Sequence, residues 1–303
     1  MSVFPISPMV VATRKSALAL AQARAWIKTF QAATGAHVEE LHVVTTGDRV
    51  QDRALNEIGG KGLFIKEIEE AILERKADAA VHSLKDVPAE LAPGLMLGCI
   101  PKRADARDVI KTRTGVRFES LPKGARVGTS SLRRIVQLAR VRPDLEFVAL
   151  RGNVDTRLRK CDAGEVDAIV LAGAGLARLG LDSHITEVLP PEICLPAIGQ
   201  GALAIEVRTG DPVLLQLLTT VNDNDTEIAV AAERGVMTAV EGSCQVPVAA
   251  YAEKDGAELR LRGFLAEPDG SKSRHKEVRV AWPSGPDEAR QVGLALGAEL
   301  KHA

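Results

Sequence analysis

Apolar and polar positions follow two rhythms along this chain. Short apolar runs suited to buried strands alternate with longer segments of 3.6-residue period. Met9-Val10-Val11-Ala12 reads as a strand, Thr13 to Ser16 as a turn, and the Ala/Leu-rich stretch to Phe30 as a helix. Leu41 to Val44 predicts a second strand. Ile65, Ile68 and Ile72 share one line, with Glu67, Glu69, Glu70 and Glu74 off it, which predicts an amphipathic helix. Asp78 to Val81 and Leu95 to Ile100 predict further strands. Such alternation predicts an α/β unit with a mostly parallel sheet.

The pattern restarts after Pro101 to Asp108, a charge-dense crossing with little to bury. Val109-Ile110, Arg126-Val127, Phe147 to Leu150 and Ala168 to Leu171 predict strands of a second α/β unit, with helices at 132–142 and 154–163. Pro190-Pro191 and Leu195-Pro196 mark a second crossing, and Ala202 to Val207 reads as a strand returning to the first unit. Beyond about residue 220 the rhythm changes. A helix from Thr226 to Val240 precedes strands at Val246 to Ala252, Glu258 to Leu265 and Glu277 to Ala281. Lys254-Asp255-Gly256 and Pro268-Asp269-Gly270 are hairpin turns, and Gly285-Pro286 opens a last helix. The expected domains are 1–101 with 198–219, 102–197, and 220–303. The architecture is α/β: two lobes joined by two crossings, plus a small C-terminal α+β domain with an antiparallel sheet. Two lobes imply a cleft lined by loops at the carboxyl ends of strands.

The 303 residues suit two or three such domains. No apolar run reaches the ~18 residues of a membrane span. Met1 to Val11 carries no charge and two prolines, unlike a secretory signal. The expectation is a cytoplasmic chain with no membrane partner. Four cysteines without CxxC spacing argue against a disulfide framework and against zinc. A net charge of -1 and 3% aromatic residues argue against nucleic-acid binding.

Against that neutral background one region is strongly cationic. Gly128-Thr129-Ser130-Ser131-Leu132-Arg133-Arg134 is followed by Leu150-Arg151-Gly152-Asn153-Val154-Asp155-Thr156-Arg157. Arginine is the side chain best shaped to hold carboxylates in pairs of hydrogen bonds, so a small polyanionic ligand is expected. Each cluster follows a strand and enters a helix. Thr129, Ser130 or Ser131 can cap the first helix, leaving N–H groups for an anion; a plain cap with two solvated arginines is the alternative. Two parallel strands would bring both clusters to one edge. Lys85-Asp86 ends another strand and reads either as a solvated turn or as a carboxylate holder beside an acid/base. His82 reads as structural. Gly59-Gly60-Lys61-Gly62-Leu63-Phe64 lacks phosphate-loop spacing and is either a glycine-rich flap or a plain loop. Cys99, Cys161 and Cys194 suit packing. Cys244, in a Gly/Ser turn, is the one candidate nucleophile among them, with no base nearby in sequence.

Taken in order, ATRKSALALAQ, GGKGLF, DAAVHSLKDVP, VGTSSLRR, LRGNVDTRL, LPAIGQGALAIE and EGSCQVPVAAYA resemble the porphobilinogen deaminase (hydroxymethylbilane synthase) family. The resemblance runs from about Ala12 to Tyr251, and the last fifty residues match mainly in their α+β pattern. It implies two type II periplasmic-binding-protein-like lobes and a third domain, acting as a monomeric transferase of haem and porphyrin biosynthesis. It implies a dipyrromethane cofactor joined by a thioether to Cys244. Four porphobilinogen molecules are then joined head to tail on it with loss of ammonia, and hydroxymethylbilane is released by hydrolysis. Each porphobilinogen carries an acetate and a propionate, which explains the arginines. Residue by residue, the resemblance assigns cofactor carboxylates to Lys85, Ser131, Arg133, Arg134 and Arg157. It assigns the incoming ring to Arg14, Ser16, Thr129, Ser130, Arg151 and Arg157. Gln22 and Gln200 line the site, and Lys61 and Phe64 belong to it or its flap. Asp86 is the catalytic aspartate, kept ionised by neighbouring arginines and stabilising cationic pyrrole intermediates. No metal is implied.

Two positions depart from the family pattern: Glu57, where many members have Lys, and Asp155, where many have a small or neutral residue. The rival reading is a non-catalytic two-lobe protein that binds a polycarboxylate, which leaves Asp86 and Cys244 unexplained.

Overall fold

The computed structural model describes residues 8–49, 65–241 and 246–302. The strands, in chain order, are β1 (Met9–Arg14), β2 (Val38–Val43), β3 (Ala79–Ser83), β4 (Leu95–Cys99), β5 (Asp108–Thr112), β6 (Arg126–Gly128), β7 (Glu146–Val148), β8 (Ala168–Ala172), β9 (Glu187–Val188), β10 (Leu203–Arg208), β11 (Val248–Asp255), β12 (Glu258–Leu265) and β13 (Arg274–Ala281). By spatial proximity the chain forms two compact units, one of residues 1–103 and 202–227, the other of residues 104–201 and 228–303.

The first unit is built on a five-stranded sheet of order β2-β1-β3-β10-β4. Its inner strands β1 and β3 read as near-continuous apolar runs because both faces are covered, whereas the edge strand β2 is partly exposed. Val11, Ala79 and Val81 face helix Ala17–Thr34, which buries Ala23, Trp26, Ile27 and Phe30. Ala12 and Ala80 point the opposite way, toward Ile68 and Ile72 of helix Lys66–Leu73. The isoleucine line therefore does what its spacing predicts.

The second unit carries a sheet of order β7-β6-β8-β5-β9. Ile110, Val127, Ala168 and Val170 pack with Leu138 of helix Leu132–Val141. Val109, Ile169 and Leu171 face the other way, onto Leu158 and Cys161 of helix Val154–Asp162. The same unit holds the antiparallel meander β11-β12-β13, covered by helices Asn224–Ala239 and Pro286–His302. Those helices meet at glycines: a Cβ on Gly293 would lie 1.9 Å from the Ala232 carbonyl oxygen. Val136 packs with Ala249 and Phe264, so the helix that carries Arg133 and Arg134 is held by the meander as well as by its own sheet.

Each five-stranded sheet is mostly parallel, as expected, with four strands running one way and a single strand reversed, β10 in the first and β5 in the second. β1 runs parallel to β2 and β3, but β10 is antiparallel to β3 and β4. β6 runs parallel to β7 and β8, but β5 is antiparallel to β8 and β9. A β-α-β crossover forces neighbouring strands to run the same way. β5 and β10 enter their sheets directly from the other unit, so no such crossover constrains them. Helices Gly173–Arg178 and Pro212–Leu218 and the two-residue β9 lie outside the expected elements. Among the described residues no helix is long and apolar enough to cross a membrane.

Candidate active site

In the first unit, adjacent parallel strands β1 and β3 bring Arg14 and the Lys85-Asp86 turn to the same end of the sheet. This is the end where open α/β sheets bind ligands. The chain leaves β3 into a short 3-10 turn, Leu84–Asp86. Leu84 is buried and its N–H donates to the Ala202 carbonyl at 3.0 Å, so Lys85 and Asp86 are presented to solvent from an anchored base. Gln22 is buried, and its Nε2 donates to Ser83 Oγ at 2.9 Å, tying helix Ala17–Thr34 to the foot of that turn. Ser16 is half-buried and caps the same helix, accepting from the Ala19 N–H at 3.3 Å. His82 is structural: it is buried against Glu206, Nε2 to Oε2 2.9 Å.

In the second unit, β6 and β7 lie side by side and parallel, and both arginine clusters emerge together. The Ser130 hydroxyl donates to the Leu150 carbonyl at 3.0 Å and joins the two loops. Ser131 is the N-cap of helix Leu132–Val141 but makes no side-chain cap; instead its N–H donates to Thr129 Oγ1 at 3.2 Å. Gly152 has φ 116°, and a Cβ there would lie 2.8 Å from Thr156 Cγ2, so the turn into the second cluster requires glycine. The Gly152 carbonyl accepts from Arg157 Nε at 2.8 Å. Asp155 is exposed in the first turn of its helix.

Arg133 and Arg134 are buried, not solvated. Their counter-charge is Asp108, a residue that the sequence reading assigned to a crossing with little to bury. Asp108 is fully buried at the start of β5. Arg133 Nη1 reaches its Oδ2 at 2.7 Å, and Arg134 Nη2 reaches its Oδ1 at 2.7 Å. Burial alone would raise the Asp108 pKa; the two guanidiniums overrule it and hold the carboxyl well below the usual carboxylate range. Gln200 is buried too, and its Nε2 donates to Asp108 Oδ1 at 2.9 Å and to the Ala106 carbonyl at 2.6 Å. The signal for Asp108 was indirect: two adjacent arginines on the buried face of a helix require a buried anion.

One carboxylate does not neutralise this cluster. Burial first, then the charges of Arg134 and Arg151, push the Arg157 guanidinium down to about 10. Arg178, which the sequence reading missed, is also desolvated and lowered, with Nη2 on the Gly201 carbonyl at 2.7 Å. Arg157, desolvated and repelled by Arg134 and Arg151, marks a place for anionic groups. Lys61, Phe64, Glu57 and Cys244 lie outside the described residues.

Residues 9–216 match the family described as porphobilinogen deaminase, dipyromethane cofactor binding domain, and residues 227–302 match its C-terminal domain. The chain belongs to the porphobilinogen deaminase family. A porphobilinogen deaminase of Sorangium cellulosum (strain So ce56) is 60% identical over 294 residues, spanning 97% of this chain and 98% of that protein. One of Syntrophobacter fumaroxidans is 48% identical over 291 residues, spanning 96% and 93%. One of Caulobacter vibrioides is 53% identical over 265 residues, spanning 87% and 82%. Among solved structures, substrate binding domain 2 of Lactococcus lactis GlnP, in its open conformation, is 9% identical over 73% of this chain and 91% of that one, with a TM-score of 0.44. The family models and the curated relatives support the family's cofactor and activity, and not the non-catalytic binding protein. The donor set fits a dipyrromethane: its carboxylates need the surplus positive charge that Arg133, Arg134, Arg151 and Arg157 hold against Asp108.

Proposed function

We propose that this chain is a cytoplasmic, monomeric transferase of three domains that joins four porphobilinogen molecules into hydroxymethylbilane. The observation that carries the reading is the cluster of buried arginines left in positive surplus, within a chain of this family. The dipyrromethane supplies the free pyrrole α-carbon from which the product grows. Cys244 holds it through a thioether. Arg133, Arg134, Ser131, Lys85 and Arg157 bind its carboxylates. Arg14, Ser16, Thr129, Ser130, Arg151 and Arg157 take the acetate and propionate of the incoming ring. Gln22 and Gln200 brace the walls, and Lys61 and Phe64 cover the site. Asp86 accepts the pyrrole N–H and stabilises positive charge as ammonia leaves porphobilinogen and as the new bond loses its proton. Its exposure on an anchored turn suits a group that must meet successive rings.

Intact mass under denaturing conditions, with porphobilinogen consumption and ammonia release, tests the reading. The chain purified from a porphobilinogen-producing cell should carry a covalent dipyrrole, and Cys244→Ser should not. Bare mass with no consumption would overturn it. Asp86→Ala should keep the adduct and lose turnover; normal ammonia release by that variant would remove Asp86 from its role.

A further inference from the structure

Asp108 has no acceptor capacity left over. Oδ1 accepts from Arg134 Nε at 3.0 Å, Arg134 Nη2 at 2.7 Å and Gln200 Nε2 at 2.9 Å. Oδ2 accepts from Arg133 Nη1 at 2.7 Å and from the Cys194 thiol at 3.3 Å. A carboxylate has about four lone-pair sites, so these donors fix it in place. Its backbone is fixed too, because Asp108 pairs with Ala172 across β5 and β8. The bracing extends outward: Gly199, next to Gln200, donates to Glu233 Oε2 at 2.7 Å, and Glu233 also accepts from the Ala252 N–H at 3.0 Å.

The two arginines are held differently. Among the described residues every bond of Arg133 runs through Nη1, to Asp108, Cys194 and the Leu195 carbonyl. Arg134 commits Nε and Nη2 to Asp108 and Nη1 to the Val170 carbonyl. Arg133 thus keeps its Nε–Nη2 edge for a ligand, whereas Arg134 offers chiefly charge. Two guanidiniums share one carboxylate, so one positive charge remains, and Arg157 experiences it. A second buried carboxylate would hold the arginines as firmly but cancel that attraction. Without any carboxylate, two buried cations would stand unpaired.

We infer that Asp108 is a positioning residue of this site: it orients Arg133 and Arg134 and leaves the pair one positive charge in excess for the carboxylates of the dipyrromethane. The inference rests on the function proposed above.

Asp108→Asn separates orientation from charge. It keeps the size of the side chain and increases the positive surplus, so a site governed by net charge alone would load at least as well as the parent. Positioning requires the opposite. In the folded, size-purified fraction, the share of chains carrying the adduct by intact mass should fall about ten-fold, the loss expected when one charge-assisted contact is misplaced. Asp108→Glu retains the charge and should restore part of the loading. Cys161→Ala alters an equally buried cysteine whose thiol faces the Lys111 carbonyl and bonds neither Asp108 nor the arginines, and should load as the parent does. Parent-level loading of Asp108→Asn, with or without a lower melting temperature, overturns the inference. So does failure of both Asp108 variants to give a folded chain, which would make the residue purely structural. A parent that itself shows bare mass overturns the functional reading, and this inference falls with it; a loaded parent beside a loaded Asp108→Asn overturns this inference alone.

Discussion

Asp108 meets Arg134 edge-on, with one carboxylate oxygen accepting from Nε at 3.0 Å and from Nη2 at 2.7 Å. Because Arg133 pairs with the other oxygen, the removal of Arg134 leaves a one-to-one buried ion pair and not a stranded carboxylate. Arg134→Met, similar in length and apolar, should therefore fold with a cooperative melt near that of the parent. Its covalent loading should fall about ten-fold, because the surplus charge is gone. Calorimetry and intact mass on the same preparation check both halves.

Arg157 presents the trade between stability and binding most directly. Its guanidinium is lowered by burial and by Arg134 and Arg151, so the fold tolerates it at a cost. Arg157→Gln should leave the melting temperature unchanged or raised. KM for porphobilinogen or covalent loading should worsen by about ten-fold or more. A variant that melts early and still binds normally would refute the assignment.

His275 adds a pH dependence on the outer side of the arginine-bearing helix. Burial and then Arg140 lower its pKa, and Arg140 Nη1 contacts its Nε2. The folded value lies below the free value of about 6.5. Folding thus favours the neutral ring. The stabilisation is present above that free value and is lost as pH falls from there through the folded value. The effect is small, since His275 is exposed. His275→Gln should flatten the fall in melting temperature that the parent shows between about pH 7.5 and about pH 5.

Gly293→Ala tests the packing of the two helices over the meander. The added methyl would lie 1.9 Å from the Ala232 carbonyl oxygen, so the helices must separate. Overpacking of this kind costs about 1–3 kcal/mol. Differential scanning calorimetry should show a melting temperature several degrees lower, with KM unchanged because no proposed binding residue lies on either helix.

Thiol counting tests the cysteines without mutation. Burial pushes Cys99 and Cys194 up to about 12 and raises Cys161. None of these three should react with a thiol reagent in the folded chain. After denaturation three of the four cysteines should react if Cys244 is a thioether, and four if it is free.

Much of this was legible before any coordinates. The isoleucine line of Ile65, Ile68 and Ile72 predicted its helix because side chains three and four apart share a face. Met9 to Ala12 and Ala168 to Leu171 predicted strands because both faces of these sheets are covered. The order of the motifs predicted the family. By contrast, the direction of β5 and β10 was illegible, because local composition is the same for parallel and antiparallel neighbours. Gln200 was expected on the lining; it is buried against Asp108, and the glutamine alone cannot say which way its amide faces.

The sequence by itself determined which chemistry is present: arginines, hydroxyls and glycines at strand ends in a neutral chain, with Asp86 and Cys244 in recognisable settings. Only the tertiary structure decided how the charge is distributed. Asp108 lies 25 and 26 residues from Arg133 and Arg134, and Gln200 a further 92 from Asp108. Separations of that size carry no periodic signal. Whether a charged residue is solvated or buried depends on what the folded chain packs over it, and here a β-strand start that reads as a polar crossing became the buried counter-charge of the site.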